Sequence, residues 1–332
     1  MREVHVIVPD GIDDPARPSG GNTYDRQVCR GLAALGWAVR EHAVPGAWPR
    51  PGLTGHVALA RAIRRMPDGA VVLLDGLIAC AAPEALVPEA SRLRQVVLVH
   101  MPLGGDAGAI RDGEREVLTA AAAVITTSVW TRRRLLELYA LPPDRVVVAE
   151  PGADAAGLAP GTALGDALLC VAAVTPDKGH DVLLDGLATA AELSWGCACV
   201  GSLDHDPAFA DGVRRRARDR GLGDRVRFPG PRTGVELDGD YAAADLLVHA
   251  SKAETYGMVV TEALGHGDDG TRPGLLVAPG DPAALGGALR SWLGDAGLRT
   301  DLRRAARERR ASLPGWAATT SVVAGVLAGA AP

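Results

Sequence analysis

The sequence lacks several features that would point to common classes of protein. No apolar run reaches 18 residues, so a membrane-spanning helix is not predicted. The formal net charge is -5, without the positive excess that is typical of nucleic-acid-binding proteins. The 5 cysteines include no C-x-x-C pair, so we expect reduced, buried thiols and neither a zinc site nor a redox motif. We therefore expect a cytoplasmic protein with no nucleic-acid partner.

Strand-like apolar runs alternate with helical patterns along most of the 332 residues. The runs lie at residues 4–8, 70–74, 96–100, 123–126, 145–148, 167–174, 194–201, 225–228, 244–250 and 274–277. Such alternation predicts βαβ units with mostly parallel sheets, and the length is sufficient for two domains. The predicted fold class is α/β, with two doubly wound domains.

The domain boundaries follow from composition. Residues 151–165 are rich in Gly, Ala and Pro, which is typical of a linker. We therefore predict a first domain at 1–160 and a second at 166–312. Pro314 interrupts the helical pattern, so the segment 313–332 is expected to form a separate terminal helix that crosses back onto the first domain.

Two carboxylates, Glu254 and Glu262, flank a Tyr256-Gly257 turn directly after the apolar run 244–250. This order predicts a buried strand, a turn and the start of a helix, which is where open α/β sheets bind ligands. Carboxylates accept hydrogen bonds from neighbouring hydroxyl groups, so the pattern favours a polyhydroxylated ligand such as a sugar.

Three other sites follow predicted strands. Gly20 and Gly21 join a strand to a helix whose free amides could bind a phosphate or a sugar, although a plain tight turn would also explain them. The turn is not G-x-G-x-x-G, so a nicotinamide cofactor is not supported. His100 ends a strand at the ligand-binding edge, and Lys178 precedes a helix start where it could bind a diphosphate. The alternatives are a structural histidine and a solvated lysine.

Taken together and in order, four segments resemble the motifs of GT-B glycosyltransferases of the large family 4 of retaining enzymes. They are residues 19–22, 99–103, 175–181 and 254–262. The resemblance implies two Rossmann-like domains facing across a cleft. It also implies transfer of a hexose-type sugar from a nucleoside diphosphate sugar to an acceptor hydroxyl, without a metal or another cofactor. The acceptor stays open between a small molecule, a lipid and a glycan.

The resemblance also implies roles for individual residues. His100, Lys178 and Glu254 take the catalytic positions: His100 beside the donor sugar, Lys178 on the diphosphate and Glu254 on the sugar hydroxyls. Glu262 would contact the ribose of the nucleotide. The remaining donor-binding positions are Gly20, Gly21, Gly179, Tyr256, Gly257, Met258 and Val259.

The sequence departs from the family pattern twice. Ala173 stands where the family usually has an arginine that binds the diphosphate. After Glu262 the chain passes almost directly to Gly270, so about 15 to 20 residues of the pattern, the length of a strand with its turns, are missing. Either this strand is deleted or the sequence omits it, and the cost of deleting a buried strand favours omission. A catalytically silent sugar-nucleotide-binding protein therefore stays open as an alternative. A sugar-nucleotide epimerase and a phosphorylase also stay open, because one fold can carry several functions.

Two charged patterns have simpler explanations. The triplet 204–206 (Asp-His-Asp) resembles a metal motif, but Asp206 before Pro207 is expected to cap a helix, and Asp238 and Asp240 are expected to precede another. We therefore predict no catalytic metal. The arginine clusters at 132–134 and 303–310 favour solvated helix faces, with peripheral contact to an anionic membrane as the alternative.

Overall fold

The computed structural model describes residues 2–104, 108–154, 157–258, 260 and 273–330. The chain divides into two compact units. Unit 1 comprises residues 1–13, 19–152 and 314–332, and unit 2 comprises residues 14–18 and 153–313. The longest segment of unit 1 therefore ends at Gly152, within the linker and before residue 160, where the first domain is predicted to end.

Unit 1 contains a parallel sheet of six strands in the order β2-β1-β3-β4-β5-β6. The strands are β1 (Glu3–Pro9), β2 (Ala38–Val44), β3 (Val71–Asp75), β4 (Arg94–Val99), β5 (Ala123–Thr126) and β6 (Val146–Val148). Alternate residues of β3 enter hydrophobic clusters on opposite faces of the sheet, as in Leu73 and Leu74. The strand order reverses between β1 and β3, and sheets of this kind bind ligands at such a reversal.

The helices of unit 1 connect these strands in the predicted alternation. They are α1 (Gly20–Ala34), α2 (Gly52–Arg64), α3 (Gly76–Ala79), α4 (Pro83–Leu86), α5 (Ala109–Ala120) and α6 (Val129–Tyr139). Ser19 caps α1 by accepting a hydrogen bond from the backbone N–H of Asn22. Gly20 and Gly21 are therefore the first residues of the helix itself.

The C-terminal helix, Trp316–Ala330, belongs to unit 1. Its Val323 and Leu327 are fully buried in one of the two clusters that cover the sheet. It also packs closely on α1, since a Cβ atom built on Gly31 would lie 2.2 Å from Oγ1 of Thr320. Glycine at position 31 therefore permits the two helices to approach.

Unit 2 contains a parallel sheet of four described strands in the order β10-β7-β8-β9. The strands are β7 (Ala167–Val171), β8 (Gly196–Val200), β9 (Val226–Gly230) and β10 (Leu246–Leu247). The helices are α7 (His180–Thr189), α8 (Pro207–Asp219), α9 (Val235–Ala243), α10 (Pro282–Gly294) and α11 (Ala296–Arg310), and the C-terminal helix of unit 1 is α12. Both units thus have the expected α/β architecture.

Some local predictions for unit 2 are confirmed and others are wrong. Asp206 caps α8 by accepting a hydrogen bond from the N–H of Phe209, with Pro207 at the first helical position. Asp238 and Asp240 lie inside α9 instead of preceding a helix. The apolar run 274–277 forms no strand, and its Leu276 is 79% exposed. Across the ranges described above, none of the helices has both the length and the apolar character needed to span a bilayer.

Candidate functional site

The carboxyl ends of β7 and β10 form the reversal point of the unit 2 sheet. These strands are neighbours although they are far apart in sequence, and their registers place Leu168 beside Leu246 and Leu169 beside Leu247. The loop after β7 carries Lys178, and the loop after β10 carries Glu254. Because parallel strands end at a common edge, the fold brings these two predicted site residues together.

A carboxylate with two nitrogen partners forms the centre of this site. Oε1 of Glu254 lies 2.7 Å from Nζ of Lys178 and 3.0 Å from Nε2 of His249. Burial alone would raise the pKa of this carboxyl, but the hydrogen bonds from His249 and Lys178 outweigh burial and lower the pKa of Glu254 to about 2. Glu254 is therefore ionised at neutral pH and held in one place.

His249 was not identified from the sequence. It follows β10 by two positions, and the loop that follows brings Glu254 back into contact with its ring. The His-x-x-x-x-Glu spacing was the available signal, but such a spacing is common in chains that make no such contact. The residue adds a second donor to the carboxylate that the sequence had singled out.

Glycine is required at position 179 for two independent reasons. Its φ is +67°, in the left-handed region, and a Cβ atom there would lie 2.1 Å from the carbonyl oxygen of Ala250. This close approach fixes the loop of Lys178 against the loop of Glu254. A backbone hydrogen bond of 2.8 Å from Lys252 N–H to the carbonyl of Asp177 joins the same two loops.

Helix α7 begins directly after this junction. Gly179 occupies the capping position, and no side chain there accepts a hydrogen bond from the first amides of the helix. Free amides at a helix N-terminus, together with its positive dipole end, stabilise anions. The site therefore combines an ammonium group, helix amides and a fixed carboxylate.

Lys252 supplies a further cation at the first turn of α7. Ala173 carries no charge, but Nζ of Lys252 lies 3.7 Å from Oδ2 of Asp181 in the first turn of α7. Lys178 and Lys252 are the only two lysines in the sequence. Both therefore belong to the two loops that form this site.

The remaining predicted donor residues have different outcomes. Gly257 is buried and has a φ of +79°, so the turn at this position requires glycine. Tyr256 and Met258 flank it and are half-buried. Val259 and Glu262 lie outside the described residues.

In unit 1, His100 follows β4 and packs directly against the start of α1. A Cβ atom on Gly21 would lie 3.3 Å from Cδ2 of His100, so the glycine leaves room for the ring. The ring of Tyr24 meets the ring of His100 edge-on, with the ring centres 5.3 Å apart. The predicted residues Gly20, Gly21 and His100 are thus neighbours at one edge of the unit 1 sheet.

His100 also contacts a carboxylate that was not predicted. Its Nε2 lies 2.9 Å from Oδ1 of Asp25, and Asp75 completes a group whose ligand-type atoms all lie within 4.8 Å of one another. Burial of the ring lowers the pKa of His100, but the charge and hydrogen bond of Asp25 outweigh it, so the pKa lies above its usual value. The site of unit 1 is therefore a histidine with a buried acidic partner.

Comparisons with known proteins agree with this architecture. Residues 165–268 match the family of glycosyl transferases group 1. The D-inositol 3-phosphate glycosyltransferase of Frankia alni is 31% identical over 240 residues, covering 62% of this chain and 58% of that protein. The protein of the same description from Thermomonospora curvata is 32% identical over 257 residues, covering 66% and 59%. The matched region thus spans less than two thirds of the length of these relatives.

Solved structures show the same fold at low sequence identity. Sucrose-phosphate synthase from Thermosynechococcus elongatus has a TM-score of 0.79 at 20% identity, over 99% of each chain. HepE of Anabaena, solved in complex with UDP-glucose, has a TM-score of 0.76 at 16% identity, over 99% of this chain and 100% of that one. The chain therefore has the GT-B fold of two Rossmann-like units, and its residues 165–268 are similar to the glycosyl transferases group 1.

Proposed function

We propose that this chain is a metal-independent, retaining glycosyltransferase that moves a hexose-type sugar from a nucleoside diphosphate sugar to an acceptor hydroxyl. The observation that carries the proposal is the group formed by Lys178, His249 and Glu254 at the reversal point of the unit 2 sheet. An ionised carboxylate suits the hydroxyls of a sugar, and an ammonium group beside free helix amides suits a diphosphate. The match of residues 165–268 to the glycosyl transferases group 1 supports the same assignment.

The leaving group determines what the site must stabilise. When the bond between C1 of the sugar and the diphosphate oxygen breaks, negative charge develops on the diphosphate. The first amides of α7, together with Lys178 once it has turned from Glu254, are the donors for that charge, a task that other glycosyltransferases give to a divalent cation. The acceptor oxygen then bonds to C1 on the same face, and its proton passes to the departing diphosphate.

The ion pair between Lys178 and Glu254 has to break when the nucleotide sugar binds. Lys178 bonds to Glu254 in this structure, whereas the proposal assigns Lys178 to the diphosphate and Glu254 to the sugar hydroxyls. The hydrogen bond from His249 holds the carboxylate of Glu254 in place when the ammonium group of Lys178 turns toward the phosphate. We therefore assign His249 a positioning role in donor binding.

The acceptor is proposed from the relatives alone. Two of them are described as D-inositol 3-phosphate glycosyltransferases, so a cyclitol phosphate is the first acceptor to test. Lipid and glycan acceptors are the next candidates. We propose that His100, on the acceptor-side unit 1, acts by hydrogen bonding beside the donor sugar.

The decisive experiment combines product analysis with two variants. The purified chain is incubated with UDP-, GDP- and ADP-linked hexoses and with inositol phosphate, in EDTA, and the glycosylated product is identified by mass and by the NMR coupling of its anomeric proton. Retention of the donor configuration without added metal is the expected result. Lys178→Ala and Glu254→Gln should each lower turnover at least about 100-fold, and Glu236→Gln on the exposed face of α9 is the matched control.

Two results would reject the proposal. Conversion of the donor without any acceptor would identify an epimerase. If the chain binds nucleotide sugars saturably but neither transfers nor hydrolyses any of them, it is a catalytically silent binding protein. The absence of the family arginine at Ala173 is the reason to test for this outcome.

A further inference from the structure

Two buried carboxylic acids meet behind the ring of His100. Asp25 lies on α1, Asp75 ends β3 and His100 follows β4, so three separate elements supply the group. Asp25 and Asp75 are each only 4% exposed. Positions this far apart in the sequence are brought together only by the parallel sheet and the helix that covers it.

The three side chains lie side by side, and a hydrogen bond joins His100 to Asp25. Oδ1 of Asp25 lies 2.9 Å from Nε2 of His100, and a carboxylate oxygen of Asp75 lies within 4.8 Å of both side chains. Oδ1 of Asp75 accepts a hydrogen bond of 2.6 Å from the N–H of Leu77, as the cap of α3. In the described part of the chain, neither carboxyl forms an ion pair with a lysine or an arginine.

The surroundings offer little compensation for a second negative charge. A cavity of only about 10 Å³, roughly the space of one water molecule, lies between Asp25 and Asp75, and its other lining residues are apolar. Two ionised carboxylates side by side in such a place repel each other strongly. Burial first, and then the charge of Asp25, raise the pKa of Asp75 to about 7.

We propose that Asp25 and Asp75 share a single proton and together act as positioning residues for His100. Asp25 is the ionised member and accepts the Nε2–H of His100, while Asp75 is the protonated member and donates its O–H to Asp25. With Nε2–H committed to Asp25, the neutral ring keeps Nδ1 as its acceptor nitrogen. A substrate hydroxyl would donate its hydrogen to Nδ1, a consequence that rests on the proposed function, whereas the shared proton does not.

The other groups around His100 do not compete for this proton. Tyr24 on α1 meets the ring edge-on, and its hydroxyl donates to the carbonyl of Ala149. The hydroxyl of Thr127, after β5, donates to the backbone carbonyl of His100 at 3.4 Å and does not contact the ring. Gly21 presents no side chain. Among the residues that the structure describes, Asp25 and Asp75 are therefore the charged groups that determine the protonation of the ring.

The test uses two variants that differ in which acid they replace. In Asp75→Asn the amide can still donate to Asp25, so it reproduces the protonated acid, whereas Asp25→Asn removes the negative charge beside the ring. The titration of His100 is followed by NMR of histidine-labelled protein without substrate, and His100→Gln identifies its signal among the 8 histidines. Thermal melting confirms that each variant is folded.

The expected results are asymmetric. Asp75→Asn should leave the titration midpoint of His100 unchanged, and Asp25→Asn should lower it by about one pH unit or more. In a transfer assay, Asp75→Leu, which leaves Asp25 without its donor, should lower kcat more than Asp75→Asn, whose amide can still donate to Asp25. An equal fall of the midpoint in Asp75→Asn and Asp25→Asn would show two ionised acids and overturn the proposal.

A second outcome would also overturn it. The same three side chains could hold a divalent cation, and Mn²⁺ would then broaden the His100 signal and Zn²⁺ would raise the melting temperature of the wild type but not of Asp75→Asn. Since titration and metal binding are measured without donor or acceptor, either result stands even if the chain transfers no sugar. A chain with the expected titrations but no transfer would reject the proposed function alone.

Discussion

Nζ of Lys178 lies 2.7 Å from Oε1 of Glu254, which is 76 positions further along the chain. This ion pair forms because β7 and β10 are neighbours in the sheet although the chain places β8 and β9 between them. The pair fixes two loops of unit 2 at the edge where we expect the donor to bind. Lys178 and Glu254 are therefore the first residues to substitute.

Lys178→Ala should weaken the binding of a nucleoside diphosphate more than that of the free nucleoside, because the ammonium group acts on phosphate charge. A loss of about tenfold to 100-fold in diphosphate affinity corresponds to one charge-assisted contact. Isothermal titration with UDP, GDP and their nucleosides measures it. Equal losses for nucleotide and nucleoside would mean that the variant has only disturbed the loop.

Glu254→Gln should destabilise unit 2 in a pH-dependent manner. The pKa of Glu254 in the folded protein is about 2, below that of an ordinary glutamate, so its stabilising contribution is fully present above about pH 4.5 and is lost as the pH falls toward 2. At pH 7 the free energy of unfolding should fall by about 1 to 2 kcal/mol, allowing for partial exposure.

Chemical denaturation of wild type and Glu254→Gln at several pH values checks this. The difference between them should be constant from pH 7 to about pH 5 and shrink below that. A difference that grows on acidification would contradict the assignment of an ionised carboxylate to this ion pair.

Gly179→Ala should destabilise unit 2 much more than Gly221→Ala. Both glycines have nearly the same backbone, with φ of +67° and +70°, so each variant incurs a strain of about 1 to 2 kcal/mol. Only at position 179 does the new Cβ also meet a carbonyl oxygen, whereas nothing lies within 4 Å at position 221. Urea denaturation of the two variants isolates the loop contact, and equal losses would show that the loops can move apart freely.

Lys252 is expected to supply the charge that Ala173 lacks. Lys252→Ala should weaken UDP or GDP binding about tenfold, and the second change Ala173→Arg should restore it, because it returns a cation to the family position. Arg227→Ala on the exposed surface of β9 removes the same charge elsewhere and should have no effect. If Ala173→Arg does not restore nucleotide binding in Lys252→Ala, then Lys252 does not replace the family arginine, and its ammonium group serves only to pair with Asp181.

Much of the fold could be predicted because buried parallel strands are continuous apolar runs. The run in β4 is an example, since each residue after Arg94 is buried. Strand β2 escaped notice because it lies at the sheet edge, and its sequence, with Arg40 and Glu41, has no apolar run. The converse error occurred at residues 274–277, where an apolar run pairs with no described strand.

Some residues of the site could be predicted from their neighbours in sequence, whereas others could be found only from the folded structure. Asp206 could be recognised as a helix cap because the signal, an aspartate before proline, lies in adjacent residues. Lys178 and Glu254 could be chosen because each follows a predicted strand. Asp25 and Asp75 could not be chosen, because nothing local distinguishes them from solvated acids until the fold buries them beside His100.

The membership of α12 in unit 1 has a consequence for biosynthesis. During translation all of unit 2 leaves the ribosome before Val323 and Leu327 can complete the apolar face that they cover. Unit 1 is thus exposed as a nascent chain for longer than unit 2 and is the part on which a chaperone would act. A released chain that ends before Pro314 should therefore have a folded unit 2 beside a protease-sensitive unit 1.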